Sequence, residues 1–199
     1  LDTLRFGDGI SAADIEISRT GSALVFRIQG SADQVTIQNW NFGNNFRIEQ
    51  VSFADGTVWD SAYLHERVAA LPILGTSGDD ALYGDEGANV LHGGAGNDFL
   101  IGGLGGDTYL FNSGDGKETI IENDQLSSAI DTLQFGSGIA ANNLIFSRIG
   151  NDFVIEVSGT SDQITIRNWA LEQACRLERF VFADGTSWNT DDLQSKFDS

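Results

Sequence analysis

Between Gly75 and Leu110 one nine-residue phrase occurs four times in register. The copies read GTSGDDALY, GDEGANVLH, GGAGNDFLI and GGLGGDTYL, and they begin at Gly75, Gly84, Gly93 and Gly102. Glycine opens every copy and returns at its fourth position. Asp or Asn holds the sixth position (Asp80, Asn89, Asp98, Asp107) and a large apolar residue the eighth (Leu82, Leu91, Leu100, Tyr109). The first six residues are expected to turn tightly, since glycine tolerates the dihedrals such a turn needs. The last three are expected to form a short strand whose apolar residue faces a core.

A turn of this kind brings several carbonyl oxygens inward and adds one carboxylate. A hard cation takes about six to eight oxygens at roughly 2.3–2.6 Å, so one turn alone cannot complete a site. The phrase resembles the calcium-binding nonapeptide of RTX proteins, the haemolysin-type repeat. The resemblance implies a right-handed parallel β-roll, a calcium-binding solenoid in which two nonapeptides make one coil and Ca2+ lies between stacked turns. On this sequence it pairs Asp80 with Asp98 and Asn89 with Asp107, and next sets Asp98 against the turn near Asp115. It implies ligands from Thr76, Gly78 and Asp80, from Asp85, Gly87 and Asn89, from Gly93, Gly94, Ala95, Gly96 and Asp98, and from Gly103, Gly105 and Asp107. A fifth turn, FNSGDGKET, departs from the pattern, with Gly116 at position six, and is expected to contribute Asn112, Gly114 and Asp115. Terminal repeats of a solenoid are commonly atypical because they cap it. The following IIEND adds Glu122 and Asp124 as ligands for the last sites. Because stacked turns share ions, about two to four calcium ions are expected.

A second, larger repeat frames the first. Residues 1–64 and 130–193 align at a constant offset of 129 with 28 identities in 64 positions and no gap. LDTLRFGDGI answers IDTLQFGSGI, SADQVTIQNW answers TSDQITIRNW, and RIEQVSFADGTVW answers RLERFVFADGTSW. Runs such as LVFRIQG, QVTIQNW and FVIEVSG read as β, with Asp55-Gly56 and Asp184-Gly185 as turns. A short helix is expected after each copy, capped by Asp60 in the first and by Asn189 or Thr190 in the second. Pro72 should end the first near Leu71. The DTLxFGxGI opening, VTIxNW centre and FADGTxW close resemble the haemolysin-type calcium-binding protein related domain, which commonly follows RTX arrays in secreted bacterial proteins. The expected organisation is thus all-β, with a β-roll flanked by two homologous β-rich modules that each end in a short helix. The first module spans 1–64, a helix and linker 65–74, the roll 75–129, and the second module 130–199.

The net charge of -18, from 29 acidic and 11 basic residues, argues against nucleic acid or an anionic membrane as partner. No apolar run approaches the roughly 18 residues of a membrane span. Cys175 is alone, so no disulfide staples the chain; its counterpart at the offset is Phe46, which predicts an apolar core position. Calcium is the expected staple instead. His65 and His92 lie far apart, and no G-x-S-x-G, H-E-x-x-H or Cys-His constellation occurs, so an enzyme is not expected. Trp40, Trp59, Trp169 and Trp188 form two equivalent pairs; a duplicated core is the simpler expectation, a sugar-stacking platform the alternative. Asp2, Asp131, Asp55 and Asp184 are expected in turns or at strand ends, with Asp131, close behind the array, the best further metal candidate among them. The sequence therefore predicts a calcium-binding structural module of a larger extracellular or cell-surface bacterial protein. It would be exported by a type I system, fold on external calcium and adjoin further domains of its parent chain. Leu1 falls inside a repeat unit, which predicts another array upstream. A calcium-stabilised glycan- or surface-binding module is the alternative function.

Overall fold

Short runs rich in β-branched and aromatic residues, bounded by glycine and Asx turns, become strands throughout the chain. The computed structural model describes residues 1–42, 44–123, 129–171 and 173–197. Among the described residues it is mostly β-strand with two short α-helices, and it divides into two units, Leu1–Pro72 and Ile73–Ser199.

In the first unit, β1 (Thr3–Arg5) pairs in parallel with β5 (Gln50–Ser52), and β5 pairs antiparallel with β6 (Val58–Asp60). β2 (Ile15–Thr20), β3 (Ala23–Ile28) and β4 (Gln34–Ile37) form an antiparallel meander. Strand alternation puts Phe6, Ile15, Ile17, Leu24, Phe26, Val51 and Phe53 into one core with Trp40 and Trp59. The Asp55-Gly56 turn closes as its sequence predicts: Gly56 has φ +88° and the Thr57 N–H donates to Asp55 Oδ1 at 2.8 Å. Helix α1 (Ser61–Ala69) starts where Asp60 accepts the Tyr63 N–H at 2.9 Å. It buries Leu64 and Val68, one turn apart on one face.

The second unit is built on two ladders of parallel strands. One contains β7 (Ile73–Leu74), β9 (Val90–His92), β11 (Thr108–Phe111), β13 (Thr132–Phe135) and β17 (Arg179–Val181). The other contains β8 (Ala81–Tyr83), β10 (Gly96–Ile101), β12 (Gly116–Ile121) and β16 (Gln163–Ile166). Up to β13, successive strands alternate between the ladders, so two nonapeptides make one full coil. The second copy of the large repeat continues both ladders. β14 (Leu144–Ile149) and β15 (Asp152–Val157) add antiparallel to β16, and β18 (Ser187–Asn189) adds antiparallel to β17. Strand pairing therefore runs straight across the sequence boundary at residue 130. Helix α2 (Thr190–Phe197) follows a reciprocal cap in which Asn189 and Asp192 exchange backbone-to-side-chain bonds of 2.9 Å.

The registers align the inward apolar residues of successive strands into two columns. Leu82, Leu100, Ile120 and Ile166 stack in one, and Ile73, Leu91, Tyr109, Leu133 and Phe180 in the other, all buried in one cluster. Cys175 is buried. Trp40, Trp59 and Trp169 are buried and Trp188 packs half-buried against the core. Among the described residues, no helix is long and apolar enough to cross a membrane.

The columns make a mutational contrast. Leu100→Ala removes a fully buried side chain and should cost about 2–5 kcal/mol. Phe99→Ala, at an exposed neighbour on the opposite face, should cost less than about 1 kcal/mol. Denaturant unfolding in saturating calcium checks both values.

Candidate metal centre

Residues two apart in a strand share a face. The Asp or Asn at position six therefore lies on the same inward side as the apolar residue at position eight. Asp80 precedes Leu82 in this way, Asn89 precedes Leu91, Asp98 precedes Leu100, and Asp107 precedes Tyr109. Each rung then ties to the next by a carboxylate. Asp98 Oδ1 accepts the Asp80 N–H at 2.7 Å, and Asp107 Oδ1 accepts the Asn89 N–H at 2.7 Å. Asp131 Oδ1 accepts the Asp107 N–H at 2.8 Å, and Glu178 Oε2 accepts the Asp131 N–H at 2.8 Å.

The turns stack as closely as the columns. In the first, Asp80 Oδ2 accepts the Thr76 N–H at 2.6 Å and the Thr76 hydroxyl at 2.8 Å, and the Gly78 N–H donates to Thr76 Oγ1 at 3.2 Å. In the second, Asn89 Oδ1 accepts the Asp85 N–H at 2.7 Å and the Gly87 N–H donates to Asp85 Oδ1 at 3.0 Å. Gly94 and Gly103 are the residues that make the approach possible. They have φ +87° and +103°, and a Cβ on either would collide with the carbonyl oxygen of Thr76 or Asp85 one coil below. Gly96 and Gly105 lie against the backbone of Gly78 and Gly87 in the same way, with Ala95 in the turn between Gly94 and Gly96. In the fifth turn the Asn112 N–H donates to Asp115 Oδ2 at 2.6 Å, and the Gly114 N–H donates to Asp162 Oδ2 at 2.7 Å. Asp115 Oδ2 also meets His92 Nε2 at 3.1 Å, which draws that histidine to a half-buried place between turns. Asp124 lies outside the described residues.

One register differs from the sequence expectation. Phe99 pairs with Ala81, 18 residues back, but with Thr119, 20 residues on. The longer coil brings Glu118 opposite Asp98, while Asp115 contributes its carbonyl to the Gly96 N–H at 2.9 Å. Glu118 escapes a nine-residue count because that count assigns it the apolar eighth position. The signal that finds it is the acid-x-apolar triplet: Glu118 precedes Ile120 as Asp98 precedes Leu100, and Asp131 precedes Leu133.

Two groups of buried acids result. In one, Asp98 Oδ2 and both oxygens of Glu118 crowd the α-carbon of Gly93, where a Cβ would strike all three. In the other, oxygens of Asp107, Glu122 and Asp131 lie within 4.8 Å of one another, and all three residues are buried. The Tyr109 hydroxyl donates to Glu122 Oε1. Burial, with the nearby Asp98 and Asp115 charges, pushes the Glu118 carboxyl up to about 9. Burial, reinforced by the Asp131 and Asp107 charges, pushes Glu122 up to about 8 despite the Tyr109 hydrogen bond. Burial also raises Asp98.

These groups fit a calcium ion. Asp98 Oδ2, Glu118 Oε1 and Oε2, and Glu122 Oε2 are buried and accept no hydrogen bond from the described protein atoms. Buried carboxylate oxygens without donors are costly, and a hard divalent cation removes that cost by direct coordination. Asp98 and Glu118 would hold one ion, and Asp107, Glu122 and Asp131 another.

The raised carboxyls set the direction of pH dependence. In the metal-free fold Glu118 and Glu122 bind protons that the unfolded chain has released above its ordinary value of 4.5. Metal-free stability should therefore fall as pH rises from about 5 towards about 8–9, while calcium binding strengthens over the same interval because the cation displaces those protons. Circular dichroism in chelator across that range checks the first trend. Calorimetry at pH 7 in buffers of different ionisation enthalpy should detect net proton release on calcium binding; none released would contradict the assignment of Glu118 and Glu122.

Comparison with known families agrees with this geometry. Residues 74–109 match the RTX calcium-binding nonapeptide repeat in four copies. Residues 24–63 and 152–192 match the haemolysin-type calcium binding protein related domain. A relative among characterised proteins is the iron-regulated protein FrpA of Neisseria meningitidis serogroup C, 37% identical over 85 residues. That alignment covers 41% of this chain and 7% of FrpA, so the shared segment is a small part of the relative. Turns, columns and buried acids agree with the sequence matches, and the chain carries RTX calcium-binding nonapeptide repeats together with two haemolysin-type calcium binding protein related domains.

Proposed function

We propose that this chain is a calcium-dependent structural module of a larger secreted or cell-surface bacterial protein, with no catalytic activity of its own. The observation that carries the reading is the set of buried carboxylates at the rung ends, which the fold concentrates and which a calcium ion would neutralise. On this reading the two parallel ladders form a β-roll between homologous modules, and about two to four ions lie between its turns. Extracellular calcium modules bind with dissociation constants on the order of 0.1–1 mM. At a free concentration about tenfold above that constant, each independent ion adds about 1.4 kcal/mol. Two to four ions then supply about 3–6 kcal/mol, a large part of the roughly 5–15 kcal/mol that holds an ordinary domain. Such sites would be empty in the cytosol and filled outside, so the chain could be exported unfolded, by a type I system, and set after release.

Hydrogen exchange tests the switch. Chelation should lower amide protection across residues 75–123 before it affects the core around Phe26, and calcium, but not equimolar magnesium, should restore it. Magnesium fails because it demands near-octahedral geometry and dehydrates reluctantly. Protection indifferent to chelator would sink the proposal. A pair of variants tests the site: Asp98→Ala should weaken calcium binding about tenfold or more, and Asp85→Ala less than about threefold, as measured by calcium titration.

A further inference from the structure

The first unit repeats the strands onto which the nonapeptide array docks in the second, yet in the first unit those strands are sheet edges. At the offset of 129, β1 corresponds to β13 and β4 to β16. β13 takes β11 on one side and β17 on the other; β16 takes β12 and β15. Among the described residues, β1 pairs with β5 and ends its sheet, and β4 pairs with β3 and ends its own. The side chains record the difference. Leu133, Ile164 and Ile166 are buried under the array, whereas their counterparts Leu4, Val35 and Ile37 are only half-buried. Thr132 is buried and Thr3 exposed.

The polar groups of the docking face are also duplicated. Asp131 gives its N–H to Glu178 and its carboxylate to the Asp107 N–H of the array. Asp2 gives its N–H to Glu49 in the same way. The Asp162 N–H donates to Thr160 Oγ1 at 3.0 Å, and the Asp162 carboxylate receives the Gly114 N–H of the array at 2.7 Å. The Asp33 N–H donates to Ser31 Oγ at 2.9 Å, and Asp33 is exposed. In the second unit the backbone N–H groups of Thr132, Gly136 and Arg167 donate to carbonyls of array residues Asp107, Phe111 and Ile120 at 2.8–3.0 Å; their counterparts are Thr3, Gly7 and Gln38.

We propose that the edges of β1 and β4, with Leu4, Val35, Ile37, Asp2 and Asp33, are a docking face for a second calcium-type nonapeptide array, distinct from the one at residues 75–123. The last two strands of that array add in parallel to β1 and β4. Asp2 and Asp33 receive N–H groups from its final turns, and Asp2 supplies the carboxylate that Asp131 supplies to the resident array. The inference rests on the calcium-dependent folding proposed above, and its test carries the resident array as an internal control.

The test joins a second copy of residues 73–129 directly ahead of Leu1 in the full chain, which reproduces the 129–130 junction. In calcium, amides of Thr3–Arg5 and Gln34–Ile37 should exchange at least about tenfold more slowly than in the parent chain, and the number of calcium ions bound should rise. Asp2→Lys with Asp33→Lys in the extended chain should abolish that added protection and leave residues 73–199 unchanged. Edge amides that exchange alike in extended and parent chains, while the resident array responds to calcium, would overturn this inference alone. A resident array that ignores calcium would overturn it together with the functional reading beneath it. Calcium-dependent self-association of the parent chain that protects the same amides would assign the face to a second copy, and would also overturn it.

Discussion

Carboxylates packed against one another at the ends of apolar columns are the constraint on which the second unit depends. Asp98 faces Glu118, and Asp107, Glu122 and Asp131 lie within 4.8 Å of one another. At an effective dielectric of 20, two like charges at that separation repel by about 3–4 kcal/mol, before the cost of removing them from water. In the metal-free fold, protons on Glu118 and Glu122 relieve this up to about pH 8–9, and a divalent cation relieves it by displacing them. The fold cannot move the acids outward, because Asp98, Asp107, Glu118 and Asp131 each lie two residues before the apolar side chain that anchors their rung, and Glu122 lies two residues after Ile120.

That coupling explains why the parallel ladders tolerate variable connections. Successive rungs are 18 residues apart at β8 and β10, 20 apart at β10 and β12, and 24 apart at β11 and β13. At β16 and β17 the spacing reaches 46 and 47. Lengthening a connection costs little, since closure entropy grows only logarithmically with its length. Losing register costs far more, since a slip of one residue turns every apolar residue of a rung outward. Register, held by the acid-x-apolar triplet, is conserved along the ladder while the loops change.

The same triplet unites parts of the chain that look unlike in sequence. Asp2-Thr-Leu4, Asp33-Gln-Val35, Glu49-Gln-Val51, Asp162-Gln-Ile164 and Glu178-Arg-Phe180 follow the pattern of the nonapeptides without their glycines. In the second unit these rungs cap the array by continuing both ladders and then turning antiparallel through β14, β15 and β18. The glycine-rich turns are needed only where one turn must pass within contact distance of another, as at Gly94 and Gly103.

Much of this was legible in the sequence because it is local and periodic. The nine-residue repeat marked the turns and the inward apolar residues Leu82, Leu91, Leu100 and Tyr109, and the resemblance to the RTX nonapeptide implied the stacking of Asp80 on Asp98 and of Asn89 on Asp107. Asp-Gly dipeptides marked the turns at residues 55–56 and 184–185, and Asp60 and the Asn189-Thr190 pair marked the helix starts. The 129-residue offset marked the recurring strands. What the sequence left open depends on pairing between distant segments. Nothing local says that β12 and β13 pair with β16 and β17, or that a two-residue lengthening sets Glu118 rather than Gly116 opposite Asp98. Nothing local brings Asp131 to Asp107 and Glu122. Those juxtapositions follow from register, which the buried columns decide only once the whole second unit is assembled.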